Sequence, residues 1–567
     1  MPEMRFDTYY KYAELTALLH DFAARFPALC RVTSLGRSHE GREIWLATLT
    51  NTATGPDTDK PAFWVDANIH ATEVSPSACV LYTLNKVLAG YGADPQITRL
   101  LDTRALYLVP RFNPDGAELY LAERRRIRSS TRLYPWPEPR DGLHEEDVDG
   151  DGRTLLMRLK DPNGPWKAHP DDPRLLVPRA ADGSDSGPYY RLLPEGFIRN
   201  YDGVQIKVAP KPEGLDLNRN FPVEWAFESE QLGAGPYPVS EPEVRAVVQF
   251  IVDHPNITGA ITFHTWSAVY LRPYSAHPDD HFPTDDLWTY QEIGKQATRL
   301  TGYPAISVFH EFRYHPKETM KGDFDSWMYD HRGVYAWTCE LWSPEKEAGI
   351  DLTTGPDGKG GSRYIEWTRT HPVEEDLKLL KWNDEVLGGR GFVNWYPFQH
   401  PQLGEVELGG WDIDLVWRNP PPHLLEREIA PHADFIIWHA LVSPLLEWRE
   451  TTVTPLGADA YHLRAVVQNT GWLPTNITAR AVEKKLVQPL EVEITLPDGA
   501  ALVSGERKVE AGQLTGRALK RYADFWTPDP TTDRARVEWV VRAPAGSEIT
   551  LTARHPRAGK ITRTLTL

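Results

Sequence analysis

Cysteine is scarce in this sequence: three in 567 residues, Cys30, Cys79 and Cys339. An odd and sparse set excludes a disulfide framework and suits a reducing compartment. Basic charge is not in excess either. The formal net charge is −17, which argues against nucleic acid or an anionic membrane as the main partner. No apolar run reaches the roughly 18 residues of a membrane-spanning helix. Met1 to Tyr10 is polar and lacks a basic-then-apolar pattern. No secretory signal is therefore expected, and the expected location is cytoplasmic. Internal repeats are lacking too. What the chain does have is 41% hydrophobic and 25% charged residues, the balance of a soluble globular protein. Its length calls for at least two domains.

Taken in order, the first helix is expected over residues 9–25, with Tyr12, Leu15, Leu18, Leu19 and Phe22 on one side. The helix begins so near the start that no autoinhibitory leader is expected. Cys30 to Leu49 reads as two strands around the turn His39-Glu40-Gly41-Arg42. Ala62-Phe63-Trp64-Val65 is a strand-length apolar run. Beyond it, Ser75 is placed to cap a helix, Pro76 suits its first turn, and Ala78, Leu81, Leu84 and Val87 repeat at helical spacing. A strand follows at Ala105–Val109, and a turn at Asn113-Pro114-Asp115-Gly116. A helix from about Glu241 to Val252 carries the capping-box signature Ser240 and Glu243. Strands end at His264 and at Glu340. Such alternation predicts an α/β fold, a mixed and mostly parallel sheet with helices on both faces, over residues 1–445.

Two stretches break that rhythm. From Arg128 to Asn218 the alternation lapses for about 90 residues, too long for an ordinary connection. A functional insertion is predicted at about 129–213, rimming the cleft. From Leu446 onward short strands and turn residues dominate, as in His462–Val467, Leu490–Ile494 and Arg536–Val541, with no helical pattern. Residues 446–567 therefore read as an all-β sandwich, and Phe435 to Leu446 as the last helix before it.

The chemistry gathers at strand ends. His70 and Glu73 lie on a tight turn in the crevice above a strand's carboxyl end, where α/β sheets bind ligands. H-x-x-E is a short pattern, compatible with a polar loop as well as with half of a zinc site. His264 and Glu340 reach the same sheet edge from two other strands. A carboxylate beside an apolar run is costly to bury without a partner. Two His and one Glu leave a fourth position on Zn²⁺ for water, and a free Glu beside it serves as general base.

An ordered series of motifs then resembles the zinc metallocarboxypeptidases of the carboxypeptidase A type across the first ~440 residues. His70-Ala71-Thr72-Glu73, Asn113-Pro114-Asp115-Gly116 and Gly214-Leu215-Asp216-Leu217-Asn218-Arg219-Asn220 stand in the family's order. So do Ser240-Glu241-Pro242-Glu243, Thr262-Phe263-His264-Thr265 and the stretch Gly322 to Leu341. The resemblance implies one Zn²⁺ per chain on His70, Glu73 and His264. It implies that Glu340 activates the zinc-bound water, and that Arg128 polarises the scissile carbonyl. Asn218 and Arg219 would hold the C-terminal carboxylate of a peptide substrate, and Asp216 would fix the tautomer of His70. Tyr314 is nearest in order to the family's capping tyrosine. Two features depart from the family: Thr72 stands where digestive members carry arginine, and the spacing from Tyr314 to Glu340 is off. The residue preference should lie near Asp323-Phe324-Asp325, apolar if Phe324 points inward and basic if Asp323 does.

Three further patterns resemble metal sites. Asp147, Asp149 and Asp151 match the first half of a calcium loop, although Arg158 stands where a bidentate Glu is needed. The alternative is a turn capping its own backbone. His310-Glu311-Phe312-Arg313-Tyr314-His315 has one residue too many for a zincin helix, and His144 has no second His at the right offset. Rival functions are a same-fold amidohydrolase (deglutamylase, cell-wall peptide amidase or small-amide deacylase) and an inactive binding scaffold.

Overall fold

The computed structural model describes residues 4–315, 317–355, 361–518 and 529–567. Its largest sheet has eight strands, in the order 30–37, 43–49, 105–109, 62–67, 257–265, 335–341, 269–272 and 305–307. Four pairings are parallel and three antiparallel, so the sheet is mixed. The three central strands, Ala62–Ala67, Ile257–Thr265 and Tyr335–Leu341, are buried almost throughout. That is why they read as continuous apolar runs rather than alternating ones.

Register matters more here than element count. Thr262 pairs with Asp66, and His264 lies directly beside Glu340. Two of the side chains singled out from sequence are thus brought together by strand pairing alone. Glu340 lies inside its strand, one residue before the end, rather than beyond it.

The first helix runs Tyr12–Arg25, three residues shorter than expected. Neither expected serine cap forms. Ser75 is the first helical residue of Ser75–Gly90, and its N-cap is Val74. Instead Asn419 Oδ1 accepts from the backbone of Val74 and Ser75, both at 2.9 Å, across some 345 residues of chain. The helix Pro242–Asp253 is preceded by Glu241 at the cap position with no side-chain cap. Ser240 turns its hydroxyl to Glu241 at 2.7 Å, and Glu243 accepts from His39 N at 2.8 Å.

The insertion is not a freestanding loop. Strands Leu156–Lys160, Tyr189–Pro194, Trp166–Ala168 and Leu176–Pro178 join Phe392–His400 and Gly404–Trp411 in one six-stranded sheet. The link is Gly404–Trp411 against Leu156–Lys160, antiparallel. The helix Pro422–Leu441 then packs against Ser75–Gly90, earlier than the expected Phe435–Leu446.

Beyond Leu446, two four-stranded sheets face each other over a core that includes Leu463, Val467, Val492, Ile494, Trp539 and Leu551. One short helix, Ala479–Glu483, interrupts the strands. It docks on the first region, where Asp286 accepts from Ala479 N and Arg480 N at 2.7 and 3.0 Å. Arg557, buried, donates to the carbonyls of Gly333 and Asn476. The architecture is therefore a mixed α/β sheet followed by a strand-rich sandwich.

Candidate active site

The His70 turn is built by Asn68. Its φ of 63° is a left-handed value that Asn tolerates better than most residues. Its Nδ2 donates to the carbonyls of His70 and Glu73 at 2.7 and 2.8 Å. The turn brings His70 Nδ1 to 3.0 Å from Glu73 Oε1 and to 3.1 Å from His264 Nδ1. His264 Nδ1 is 3.3 Å from Glu73 Oε2. Three donor atoms from two strand ends thus face one point, and all three residues are buried.

Hydrogen bonding fixes which nitrogens face inward. His70 Nε2 lies 3.1 Å from Asp216 Oδ1, an ionised acceptor, so the proton belongs on Nε2 and Nδ1 is bare. Thr262 donates its only hydroxyl proton to Asp66 Oδ1 at 2.6 Å. Its oxygen can then only accept from His264 Nε2 at 3.3 Å, which bares His264 Nδ1 as well. Two bare nitrogens 3.1 Å apart beside a carboxylate repel unless a cation lies between them. Tetrahedral Zn²⁺ with bonds of about 2.0–2.1 Å separates its ligand atoms by about 3.3 Å. The donor set fits that ion.

The electrostatics follow from burial. Burial alone would raise Glu73, but His70 and His264 outweigh it and hold the carboxylate well below its ordinary range. Asp216 is likewise held down, against burial, by Arg128, His70 and Arg219. Glu340 goes the other way. Burial, then the negative charge of Glu73, pushes it well above the ordinary range, and its Oε2 has no partner among the described residues. A divalent cation beside Glu73 would reverse that second effect.

The remaining predicted residues come together around a cavity of about 370 Å³ that His70, Glu73, His264 and Glu340 line. Arg128 Nε donates to Asp216 Oδ2 at 2.8 Å, and its Nη1 stands 3.9 Å from Glu73. Arg219 donates to the Asn218 carbonyl at 2.6 Å and touches Met320 Sδ at 3.2 Å. Asn218 Oδ1 accepts from Phe324 N at 2.9 Å. Tyr314 lines the cavity, and its carbonyl accepts from Arg369.

One open alternative is settled in favour of Asp323, and two expectations are corrected. Phe324 does not face the cavity; it is buried against Phe221 and Trp327. Asp323 and Asp325 line the cavity instead, and Asp325 Oδ2 has no partner among the described residues. Nor does the insertion rim the cavity, since none of the described lining residues comes from 129–213. The wall is supplied by Tyr364, Ile365, Thr368, Arg369 and Arg418, which no motif had marked. Finally, Asp147, Asp149 and Asp151 do approach one another, but as a self-capping turn. Asp147 accepts from Gly150 N at 2.7 Å and Gly152 N at 2.8 Å, and Asp149 from Asp151 N at 3.1 Å. Arg158, at the twelfth position, packs between the rings of Tyr190 and Trp395 and pairs with Glu407. Nothing in this arrangement supports calcium.

Comparison with known proteins adds an independent line. A family profile described as "Zinc carboxypeptidase" matches residues 15–169 and 193–354, and one described as a domain of unknown function matches 445–566. Carboxypeptidase A2 of Rattus norvegicus is 27% identical over 344 residues, covering 59% of this chain and 63% of the relative. Carboxypeptidase A2 of Mus musculus gives the same identity and coverage. The match thus spans a little under two thirds of these relatives' length. Among solved structures, thrombin activatable fibrinolysis inhibitor is similar, with 22% identity, a TM-score of 0.39 and coverage of 60% of this chain and 69% of that one.

Proposed function

Because the chain belongs to the zinc carboxypeptidase family, we propose that it removes C-terminal residues from peptides, with His70, Glu73 and His264 holding one Zn²⁺. The observation that carries this reading is the pair of bare imidazole nitrogens meeting Glu73 at 3.0–3.3 Å, with Glu340 in register beside His264.

When bound, the ion supplies Lewis acidity to a water molecule and to the scissile carbonyl. Glu340 Oε2, which has no partner among the described residues, takes the proton from the attacking water and passes it to the leaving amine nitrogen. Arg128, held by Asp216, presents its remaining N–H groups to the oxygen that gains negative charge. Arg219 and the Asn218 amide hold the terminal carboxylate, a group that a guanidinium fork fits well. Tyr314 closes over the substrate. Asp325, buried with an unpartnered oxygen, sets the preference. Burial and the charge of Asp323 push its carboxyl well up, and a cationic side chain relieves both. Lysine and arginine are therefore the expected C-terminal residues.

The test is metal analysis of the purified protein together with a peptide library, each sequence supplied with a free and with an amidated C-terminus. One zinc per chain and release of basic residues from the free peptides alone are expected. Equal cleavage of the amidated set would point to an amidohydrolase of another kind. Zinc far below one per chain with no cleavage would leave a binding scaffold.

A further inference from the structure

Two cations in the cavity wall, Arg369 and Arg418, come from outside the family-matched residues, and Arg369 already donates to the Tyr314 carbonyl. Arg418 ends the short π-helical turn Asp414–Arg418, beyond the central sheet. Its guanidinium lies over the Trp266 ring at 4.9 Å and makes no hydrogen bond or ion pair to any described residue. Its surroundings are costly for a charge. Burial lowers its pKa, and although Glu73 favours the charged form, Arg128 opposes it. Glu340 and Asp414 lie close enough to feel its charge, but neither accepts a hydrogen bond from it. Glu73 faces the two imidazoles, and Asp414 stands 4.0 Å from Arg126.

The residue is also held in place. Asn419, next in the chain, accepts from the backbone of Val74 and Ser75 and donates to the Thr72 carbonyl at 2.8 Å. Those three bonds tie Arg418 to the Glu73 flank of the metal cradle. The terminal-carboxylate clamp, Asn218 and Arg219, extends from Asp216, which bonds the outer nitrogen of His70 on the other flank. Arg219 and Arg418 both line the cavity, and they are tied to different parts of the triad, Arg219 through Asp216 to His70 and Arg418 through Asn419 to the Thr72–Ser75 backbone. A peptide gripped by Arg219 at its carboxylate can therefore reach Arg418 with its acyl portion.

We propose that Arg418 binds the acyl side of the substrate and selects a carboxylate on one of the two residues preceding the scissile bond. The proposal rests on the peptide-hydrolysis reading above. An unpaired, half-buried guanidinium stacked on an indole is a carboxylate receptor by its chemistry, and the ligand it lacks within the protein is one that an acidic peptide supplies.

The experiment compares acetylated tripeptides ending in lysine, with Glu or its isostere Gln at either of the two preceding positions. At one of the positions, kcat/KM for Glu should exceed that for Gln by about 10–100-fold. Arg418→Gln should bring that ratio close to one, and Arg418→Lys should leave it intermediate. The ratio is internal to each variant, so a general loss of activity does not obscure it. The same peptide pairs titrated calorimetrically into Glu340→Gln protein, with and without Arg418→Gln, read the discrimination without turnover. Failure to cleave any peptide would therefore count against hydrolysis, while Glu/Gln discrimination in binding would still support Arg418. Absence of discrimination in the Arg418-containing protein, or its survival in Arg418→Gln, would overturn the proposal.

Discussion

The carboxyl edge of the eight-stranded sheet and the interior of the C-terminal sandwich are both buried, yet they are built from opposite materials. Asp66, His70, Glu73, His264 and Asp216 crowd the first, nearly free of solvent. The second buries Leu463, Val467, Val492, Ile494 and Leu551, and its strands alternate buried and exposed, as in Glu548–His555. Buried ionisable groups oppose folding unless each finds a partner. At the sheet edge most do find one, and Glu340 and Asp325, each with an oxygen that has no partner among the described residues, line the cavity. The contrast separates what holds the molecule together from what it holds ready for a substrate.

That contrast is broken most forcefully at Glu340. Glu340→Gln should lower kcat/KM by about 10³-fold, within the range for a lost general base, while raising stability by about 1 kcal/mol because an uncompensated buried carboxyl is removed. Steady-state kinetics beside a urea titration checks both signs. Leu551→Ala in the sandwich should do the reverse. A cavity in a close-packed core costs about 2–5 kcal/mol, with kcat of the folded enzyme unchanged. If kcat fell in parallel with stability, the two regions would not be separable in this way. Asp216→Asn lies between them. It takes a charged acceptor from both His70 and Arg128, and should weaken zinc about 10–100-fold in a chelator competition. A further expected effect is acid sensitivity shared by both regions. Burial pushes His432 and His439 in the first, and His555 in the second, down to about 3. The unfolded chain binds those protons near pH 6.5, so stability is fully present above that pH and declines as pH falls toward 3. The slope is about 1.4 kcal/mol per pH unit for each histidine. Melting temperatures between pH 7.5 and 4.5 would follow it, and a flat profile would show the imidazoles to be wetter than they look.

What sequence could say about this molecule depended on distance along the chain. His70 and Glu73 are three residues apart, and His264 and Glu340 each end an apolar run, so local pattern located them. The sandwich strands were legible because period-2 alternation is a local property. Asp325 was within reach too, but its orientation relative to Phe324 depends on which face of the helix Phe324–Arg332 meets Phe221. Arg418 and Asn419 carried no signal, because the backbone groups they serve lie some 345 residues earlier. The same holds for Gly404–Trp411, whose partner strand Leu156–Lys160 belongs to the insertion. The two serine caps were plausible by local chemistry, and tertiary contacts displaced both.

Asn419 also sets a timetable. The turn that carries two of the proposed zinc ligands is left with open backbone donors until Asn419 arrives. At roughly 5–20 residues per second, synthesis of the intervening chain takes on the order of tens of seconds. A nascent chain therefore presents His70 and Glu73 long before the segment that locks their turn exists. The proposed zinc cradle therefore gains its locking contact only late in synthesis.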